Sequence, residues 1–514
     1  MNSAILDIPD DFDDDQEFSV DSLVKNEEEI LKARKTLNEE QSLIFDNLIS
    51  IAKKAKGGYY VIIGYAGTGK TYLISKFIEA LECKVAMTAP TNKAVKVLMD
   101  NRSETNNQVE YATIHKLLAL SLRWVYPKKG QDFEPYQKLV SAFNAKPSIN
   151  EYDVLIIDEV SMMADDLFGM LNKEKKRNLI IIFMGDPAQI PPVGREDSIP
   201  LLREQRDNYG IEAFFLEKIM RQAQDNKILE TASQVREGRF REGDPVLSRK
   251  SNKDVVFFSS TSQEDLGSFH EILFTLFGDG KFQKDTNYTK VIAWRNTTVN
   301  NYNTAIRKSI YKTDNLQFLM PGEKLIADSP VIKDKVILFN TSDEFEVVES
   351  VKTSLVAELP SGKDSMQQEM IELIKEAQGD LKGRGITLHY HKTTVAYTLP
   401  YDKEKKFECE IDILDPNSEK QLGWVIASHF KARLYKIGTD WKERFAKVKY
   451  NYAITAHKSQ GSTYDYVFLI EDDINLNSKT IERNRIKYTA LTRAKYKLFD
   501  LCKYNKTIRR QLNG

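Results

Sequence analysis

Short apolar runs alternate with amphipathic stretches through the first 220 residues of the chain. Four runs are rich in β-branched residues, and each ends at a polar cluster: YYVII before GYAGTGKT, KVAMT before APTNKA, DVLII before DEVSM, and LIIIFM before GDPAQIPP. Helical spacing marks LNEEQSLIFDNLISIAKKA, where Asn38 is the predicted N-cap and Gln41 the third residue after it. Apolar strands separated by helices predict an α/β fold with a parallel sheet buried on both faces.

The second half of the chain repeats this pattern more weakly. Its candidate strands are VIAWRN near 291–296, YVFLI at 466–470 and KLFDL at 497–501. Between them, from about 315 to 445, the runs EFEVVESV, TTVAYTL and FECEIDIL indicate a mostly β segment. We therefore predict a second parallel sheet whose domain is interrupted by an insertion.

Charge is unevenly distributed, although the formal net charge is only −1. Residues 1–30 contain eleven acidic residues against Lys25 alone, which leaves 73 basic and 64 acidic residues, a net charge of +9, in the rest of the chain. An acidic segment that is poor in aromatic residues cannot bury enough apolar surface to fold, so we expect a flexible tail over residues 1–30. The cationic remainder is compatible with phosphate binding but does not identify it.

Composition also disfavours a membrane protein and a metal-thiolate protein. No apolar run approaches the roughly 18 residues that a membrane span requires, and the N-terminus lacks the pattern of a signal peptide, so we expect a cytoplasmic location. Cys83, Cys409 and Cys502 are too few and too scattered for a disulfide framework or a zinc site. His389 and His391 have no ligand cluster beside them in the sequence.

Residues 64–71, GYAGTGKT, fit the phosphate-loop pattern between a predicted strand and the helical stretch YLISKFIEAL. Such a loop directs backbone N–H groups at phosphate oxygens, its lysine reaches the terminal phosphates, and its threonine hydroxyl ligates Mg²⁺. After the strand DVLII, Asp158 supplies an acid for the hydrated metal and Glu159 an acid that activates water. We therefore expect ATP and Mg²⁺ as ligands. The phosphate-binding residues are Gly64, Gly67, Thr68, Gly69, Lys70 and Thr71.

Four further segments indicate what such an ATPase does. In sequence order, APTNKAV (89–95), GDPAQIPPV (185–193), ITAHKSQGSTYDYV (454–467) and YTALTRAKYKL (488–498) resemble the ordered motifs of the B-type helicases of superfamily 1. The resemblance spans roughly residues 35–220 and 285–500, whereas the insertion matches in placement only. It implies two RecA-like motor domains and a mostly β, SH3-like insertion in the second.

The resemblance also implies the domain limits. The first motor domain is expected over residues 31–220, with a hairpin at about 118–150. The second is expected over 221–314 and 446–514, and the insertion over 315–445.

Single residues of the nucleotide site are implied in the same way. Gln41 resembles the glutamine that reads adenine, Gln189 the sensor that links the γ-phosphate to the DNA groove, and Gly461 a nucleotide-binding glycine. Arg221 and Arg493 resemble two arginines that reach the γ-phosphate from the second motor domain and stabilise transition-state charge. Because such arginines lie across a cleft, hydrolysis requires closure.

Candidate DNA contacts follow the strand ends of both sheets. Binding of a single strand without sequence preference needs backbone contacts and flat surfaces on which bases stack. Each candidate could instead be a core or capping residue, and this alternative is strongest for Trp294. The family's DNA-contacting positions are matched by Pro90, Thr91, Asn92, Thr113, His115, Trp294, Asn296, His457, Lys458 and Ser459.

Residues 121–137, SLRWVYPKKGQDFEPYQ, place a Pro-Lys-Lys-Gly turn between aromatic-rich arms and predict a β-hairpin. In B-type helicases a hairpin at this place is the pin that splits the duplex. The alternative is a surface hairpin that does not contact the fork.

The resemblance implies an ATP-dependent 5′-to-3′ DNA helicase that moves on single-stranded DNA and unwinds forked duplexes. A functional monomer is expected, in the host cytoplasm if a phage encodes it, with replication or single-strand-binding proteins as partners. Polarity rests on the resemblance alone. Two alternatives remain: a translocase that displaces proteins without processive unwinding, and an ATP-gated nucleic-acid clamp, against which Glu159 and Arg493 argue.

Overall fold

The computed structural model describes residues 23–100, 109–128, 130–131, 133–142, 145–192, 194–220, 226–238, 251–333, 336–360, 385–399 and 402–503. Its α-helices are α1 Glu27–Arg34, α2 Glu39–Lys53, α3 Lys70–Glu79, α4 Asn92–Asp100, α5 Ile114–Leu117, α6 Asp165–Glu174, α7 Arg203–Tyr209, α8 Lys227–Arg236, α9 Gln263–Gly278, α10 Lys281–Lys284, α11 Asn296–Tyr311, α12 Glu419–Lys431, α13 Tyr435–Glu443, α14 Glu471–Ile474 and α15 Thr480–Leu491. None of the described helices combines the length and the apolar character needed to cross a lipid bilayer.

The strands form two parallel sheets, one antiparallel sheet and two hairpins. They are β1 Gly58–Gly64, β2 Val85–Ala89, β3 Val109–Thr113, β4 Leu120–Val125, β5 Tyr136–Ser141, β6 Val154–Ile157, β7 Ile180–Gly185, β8 Glu212–Leu216, β9 Val255–Ser259, β10 Thr289–Ala293, β11 Lys324–Ala327, β12 Val331–Lys333, β13 Val336–Phe339, β14 Glu344–Glu358, β15 Gly385–Leu399, β16 Asp402–Leu414, β17 Val448–Tyr450, β18 Ala453–Thr455, β19 Tyr464–Ile470 and β20 Ala494–Cys502.

The first sheet has the strand order β3-β2-β6-β7-β1-β8, and all its neighbouring strands are parallel. The four predicted strands are its central members β1, β2, β6 and β7, and every residue of β2, β6 and β7 is buried. Helix α2 begins with the predicted capping box of Asn38 and Gln41. Because parallel strands end at one edge, the polar clusters after these strands lie together there.

The second sheet is also parallel, in the order β18-β10-β19-β20-β9. Its predicted strands β10, β19 and β20 are central. The chain therefore has the predicted α/β fold with two RecA-like domains, which we call the first and second motor domains.

The insertion forms an antiparallel sheet in the order β16-β15-β14-β11-β17. Strands β14 and β15 are each 15 residues long. Helices α12 and α13 pack with Leu355, Leu388 and Tyr390 in a small separate core. The insertion is mostly β, as predicted, and carries two helices that the sequence pattern did not indicate.

The flexible tail predicted for residues 1–30 is wrong for residues 23–30. Val24 forms a β-bridge with Leu81, and Ile30 of α1 is buried in the core of the first motor domain. The acidic residues of this part occupy the first turn of α1, where negative charge stabilises the helix. Residues 1–22 lie outside the described residues.

Buried charges from three parts of the chain meet at one place, which we call the charge cluster: Lys93 of the first motor domain, Lys290 of the second and Glu344 of the insertion. Lys93 Nζ donates to Glu344 Oε1 at 2.8 Å, and Lys290 Nζ donates to Asn451 Oδ1 at 2.8 Å. Burial opposes ionisation of Glu344, but the charges of both lysines outweigh it and hold the pKa of Glu344 well below its usual range. Burial lowers the pKa of Lys290 to about 7.

Candidate nucleotide and DNA site

The phosphate loop connects β1 to α3 at the carboxyl edge of the first sheet. Gly69 is the N-cap of α3 with φ of 81°, and a Cβ there would lie 2.5 Å from Gln41 Nε2. The hydroxyl of Thr68 donates to the Tyr65 carbonyl at 2.8 Å. The Lys70 ammonium donates to the carbonyl oxygens of Gly64 and Tyr65, at 2.6 and 3.2 Å. The loop thus curves around the end of the Lys70 side chain, as a phosphate cradle requires.

Asp158 and Glu159 follow β6, two strands away from β1 in the first sheet. Asp158 Oδ1 accepts the Glu159 N–H at 2.7 Å, and Glu159 has a left-handed backbone with φ of 52°. Burial and the adjacent Glu159 charge raise the pKa of Asp158 to about 7, against the opposing charge of Lys70. The two carboxylates and the ammonium therefore share one electrostatic site.

Arg493 brings the second motor domain to this site. Its Nη1 lies 3.9 Å from Glu159 Oε1, and both side chains are largely buried. The guanidinium also donates to the carbonyl oxygens of Thr489 and Ser462, at 3.0 and 3.2 Å. These bonds fix the direction of a charge that would otherwise be free to rotate.

Gln41 is fully buried behind the phosphate loop. Its Oε1 accepts the Asn38 N–H at 3.3 Å, and its Nε2 lies 3.4 Å from the Gly69 carbonyl and 3.1 Å from Met220 Sδ. The structure therefore places this amide beside the loop, and its contact with adenine stays a prediction.

The loop after β7, residues 186–190, carries the predicted sensor Gln189. The side chain of Gln189 is buried, and its Oε1 has no hydrogen-bond partner among the residues that the structure describes. Leaving a buried amide oxygen unpaired costs roughly 1–3 kcal/mol, so this atom is suited to accept a bond from a ligand or water. We call residues 186–190 the sensor loop.

The donor set fits magnesium triphosphate. Carboxylate and hydroxyl oxygens, from Asp158 and Thr71, are the hard ligands that Mg²⁺ takes together with phosphate and water. Backbone N–H groups and Lys70 suit the phosphates.

Two further predicted nucleotide residues are not among the contacts described above. Arg221 lies outside the described residues. Gly461, which has φ of 68°, lies against the start of α4: a Cβ on it would lie 2.9 Å from Ala94 Cβ and 3.8 Å from Thr91 Oγ1. Gly461 is thus a point of close contact between the two motor domains, and its contact with nucleotide stays a prediction.

The predicted DNA residues of the first motor domain lie at the carboxyl ends of β2 and β3. Pro90 and Asn92 are partly exposed at the start of α4, where Thr91 Oγ1 accepts the Ala94 N–H at 3.2 Å. Thr113 caps α5 through the Lys116 N–H. His115, on α5, is partly buried, and burial lowers its pKa. Because β2 and β3 are adjacent and parallel, these residues form one continuous strip.

The corresponding residues of the second motor domain meet the insertion. Asn296, exposed at the start of α11, accepts a bond from Lys449 Nζ at 3.2 Å. Lys449 and Lys458 both pair with Asp328 of the insertion, the former at 3.4 Å and the latter in closer contact. His457 is exposed beside Lys458. This strip is therefore lined by basic groups that share one carboxylate.

Trp294 and Ser459 are less exposed than Asn296 and His457 of this domain, and their contact with DNA stays a prediction. Trp294 is half-buried against the core of the second motor domain, and its backbone N–H donates to Asp473 Oδ2 at 2.8 Å. Ser459 is fully buried and donates to the Ala456 carbonyl at 2.7 Å. For Ser459 the capping alternative describes the side chain in this structure.

The predicted hairpin forms, with β4 and β5 as its arms. It docks on helix α13 of the insertion: Trp124 Nε1 and Gln137 Nε2 both donate to Glu443 Oε1, at 2.5 and 3.0 Å. The hydroxyls of Tyr126 and Thr439 are 3.0 Å apart. The hairpin is therefore held from two domains rather than projecting freely.

Comparisons with known proteins agree with this arrangement. Residues 36–255 match the family model of an AAA domain, and residues 450–499 match that of the UvrD-like helicase C-terminal domain. The chain is 27% identical over 480 residues to the ATP-dependent DNA helicase dda of Enterobacteria phage T4, with 90% of this chain and 98% of that protein covered. It is 26% identical over 504 residues to an uncharacterised protein of Acanthamoeba polyphaga mimivirus, with 90% and 99% covered.

Two further matches are more partial or more distant. The ATP-dependent RecD2 DNA helicase of Deinococcus radiodurans is 32% identical over 207 residues, which cover 39% of this chain and 24% of that protein. A crystal structure of Pif1 helicase from Candida albicans has a TM-score of 0.41 at 16% identity, with 93% of this chain and 99% of that chain covered.

The two matched domain families and the helicase relatives support a B-type helicase of superfamily 1.

Several contacts at the motor-domain interface are not indicated by the sequence pattern. The Tyr488 hydroxyl lies 2.9 Å from the Ala66 nitrogen of the phosphate loop, and the Arg236 guanidinium lies 3.7 Å from the centroid of the Tyr65 ring. Gln460 Nε2 donates to the Ile190 carbonyl of the sensor loop at 2.8 Å. Tyr488 and Gln460 belong to the helicase segments already quoted, so those segments point to the interface. Arg236 lies outside them.

Proposed function

We propose that the chain is an ATP-dependent DNA helicase that translocates 5′-to-3′ on single-stranded DNA and unwinds forked duplexes. The observation that carries this proposal is the meeting of Arg493 with Glu159 across the two motor domains. An ATPase site that is completed by a second RecA-like domain couples hydrolysis to relative domain movement, which is what a motor requires.

In this proposal the phosphate loop holds the triphosphate through its N–H groups and Lys70. Thr71 and Asp158 would hold Mg²⁺, which would supply charge neutralisation to the phosphates. Glu159 positions and deprotonates the attacking water, and Arg493 stabilises the charge that develops on the transferred group. Gln189 connects this site to the DNA side of the first sheet, and Gln41 contacts adenine. Arg221 is proposed as a second arginine on the resemblance alone.

Single-stranded DNA lies along the strips described above, in contact with backbone-binding groups of both motor domains. The first domain contributes Pro90, Thr91, Asn92, Thr113 and His115. The second contributes Asn296, His457 and Lys458, with Trp294 as the candidate stacking surface. The docked hairpin is the proposed pin. Opening one base-pair step costs roughly 1.4 kcal/mol, and a wedge that is held by two domains is rigid enough to separate the strands against this cost.

The test is a strand-separation assay on three substrates: a forked duplex with a 5′ tail, one with a 3′ tail and a blunt duplex. We expect Mg²⁺- and ATP-dependent unwinding of the 5′-tailed duplex and no unwinding by the Glu159→Gln variant. Unwinding of the 3′-tailed duplex alone would contradict the polarity. Displacement of a protein block from single-stranded DNA without strand separation would instead identify a translocase.

A clamp is distinguished by turnover. A clamp binds single-stranded DNA tightly when ATP is bound, but it hydrolyses ATP no faster when DNA is present. The ATPase activity of a helicase, by contrast, is stimulated by DNA. Analytical ultracentrifugation of the active protein on DNA tests whether it works as a monomer, and the same assay with a single-strand-binding protein tests that partner.

A further inference from the structure

The Tyr488 hydroxyl makes two hydrogen bonds across the motor-domain interface. Tyr488 lies on helix α15 of the second motor domain, and its side chain is almost completely buried. Its hydroxyl donates to Asp186 Oδ2 at 2.6 Å and accepts the Ala66 N–H at 2.9 Å. A phenol offers one donor and acceptor lone pairs, so this hydroxyl is satisfied on both sides.

The two partners belong to different functional segments of the first motor domain. Ala66 lies in the phosphate loop, and Asp186 begins the sensor loop. Asp186 Oδ1 also accepts the Ala188 N–H at 2.9 Å, so the carboxylate that Tyr488 contacts organises the turn before Gln189. The hydroxyl is therefore a bridge between the loop that holds phosphates and the loop that carries the candidate sensor.

Neighbouring groups of the second motor domain hold the other end of the sensor loop. Thr489 Oγ1 accepts the Ile190 N–H at 3.1 Å, next to the bond from Gln460 to the Ile190 carbonyl. Ile190 itself packs in the core of the second motor domain. Thus the sensor loop is fixed at both ends by residues that move with Arg493.

The chemistry of the bridge requires the hydroxyl to stay protonated. Burial, and then the Asp186 charge, raise the pKa of Tyr488 well above its usual range. The proton consequently remains on Tyr488 and is donated to Asp186 throughout the neutral pH range.

We propose that Tyr488 is a positioning residue that sets Gln189 against the phosphate loop when the second motor domain is docked. This inference rests on the proposed function, since it assigns the residue a part in DNA-stimulated ATP hydrolysis. Lys70 and the remaining N–H groups of the loop keep their own contacts with phosphate. Loss of the hydroxyl therefore affects the turnover step and its stimulation by DNA more than it affects ATP binding.

The test is Tyr488→Phe in the full chain, which removes the hydroxyl and keeps the ring. We expect kcat for ATP with single-stranded DNA to fall about tenfold or more, since the lost hydrogen bond is made to a charged carboxylate. The KM for ATP should stay within about twofold of the parent. The ratio of DNA-stimulated to basal hydrolysis should fall by a similar factor to kcat.

Tyr452→Phe is the matched control. Tyr452 is also fully buried in the second motor domain, but its hydroxyl lies 3.5 Å from Glu323, in a different part of that domain. We expect its kcat and stimulation ratio to equal those of the parent. An equal fall in both variants would show that any lost buried hydroxyl has this effect, and it would overturn the proposal.

A double-mutant cycle with Asp186→Asn tests the contact itself. If Tyr488 acts through Asp186, adding Tyr488→Phe to Asp186→Asn should lower kcat by much less than it does in the parent. Additive losses would overturn the bridge, as would parental kcat and stimulation in Tyr488→Phe. A parent that lacks DNA-stimulated hydrolysis would refute the proposed function as well, so the two failures are distinguishable.

Discussion

Arg493 and Glu159 lie 3.9 Å apart, although their side chains come from different motor domains. Both are largely buried, so solvent screens this interaction less than it screens a surface ion pair. The candidate general base Glu159 and the candidate arginine finger Arg493 therefore share one site only when the cleft between the motor domains is closed.

Replacement of Arg493 should lower the rate of hydrolysis far more than ATP affinity. An arginine of this kind stabilises charge that develops in the transition state, so Arg493→Ala should reduce kcat by about 10³-fold while KM changes by less than about threefold. Steady-state ATPase assays with saturating single-stranded DNA measure both. Arg485→Ala is the matched control, because Arg485 also crosses the interface, to Asp197, but does not contact Glu159. Normal turnover with weakened ATP affinity in Arg493→Ala would show that Arg493 does not act as an arginine finger.

Lys70→Ala should abolish hydrolysis and leave DNA binding intact. Lys70 is the side-chain cation that the phosphate loop itself contributes, whereas the DNA strips lie elsewhere on the two sheets. ATPase assays and fluorescence anisotropy with labelled single-stranded DNA check the two parts. Lys76→Ala on the same helix removes a partly exposed lysine that pairs with Glu79, and it should behave as the parent. Strong DNA-stimulated turnover in Lys70→Ala would refute the assignment of the loop.

Undocking the hairpin should separate unwinding from translocation. Glu443→Ala removes the acceptor shared by Trp124 and Gln137, so the hairpin loses two bonds to α13 while the ATP site keeps all of its residues. Forked-duplex unwinding should fall at least tenfold, and ATPase on single-stranded DNA should stay within about threefold, a barrier change near 0.65 kcal/mol. The exposed Glu419 of α12 supplies the control, Glu419→Ala. Equal losses in unwinding and ATPase would place the hairpin in the motor core instead.

Asp328 should weaken DNA binding in the parent protein. Its carboxylate pairs with both Lys449 and Lys458, so it partly neutralises two cations on the DNA strip. Asp328→Asn should tighten single-stranded DNA binding about threefold at low salt and make the salt dependence steeper. Salt titrations of anisotropy measure this, with Asp440→Asn as a control that frees a lysine on α13. Weaker binding by Asp328→Asn would mean that the carboxylate orients the lysines rather than opposing DNA.

The sequence predicted the central strands of both sheets but missed their edges. Strands β3 and β8 border the first sheet, and β9 and β18 border the second. Central strands are buried on both faces and read as continuous apolar runs, whereas β3 and β8 have mixed burial, and β18 has only three residues. The phosphate loop and the Asp158–Glu159 pair were found because their spacing is local.

Contacts between the motor domains could not be predicted in the same way. Tyr488 and Ala66 are 422 residues apart in the sequence, and no periodicity relates them. The prediction of a flexible tail is wrong for residues 23–30, because acidic residues in the first turn of a helix cannot be told by composition from acidic residues in a flexible segment. The burial of Ser459 could not be predicted either, since serine occurs both in buried turns and in DNA contacts.

The charge cluster constrains how the cleft opens. Lys93 and Glu344 form a buried ion pair between the first motor domain and the insertion, and separating them leaves a buried charge without its partner, which costs about 3–5 kcal/mol. A domain movement that keeps this pair intact is a rotation about it. We therefore expect the pair to act as a pivot: spectroscopic labels beside it should keep their separation through the nucleotide cycle, while labels on α3 and α15 should move apart and together as the motor steps.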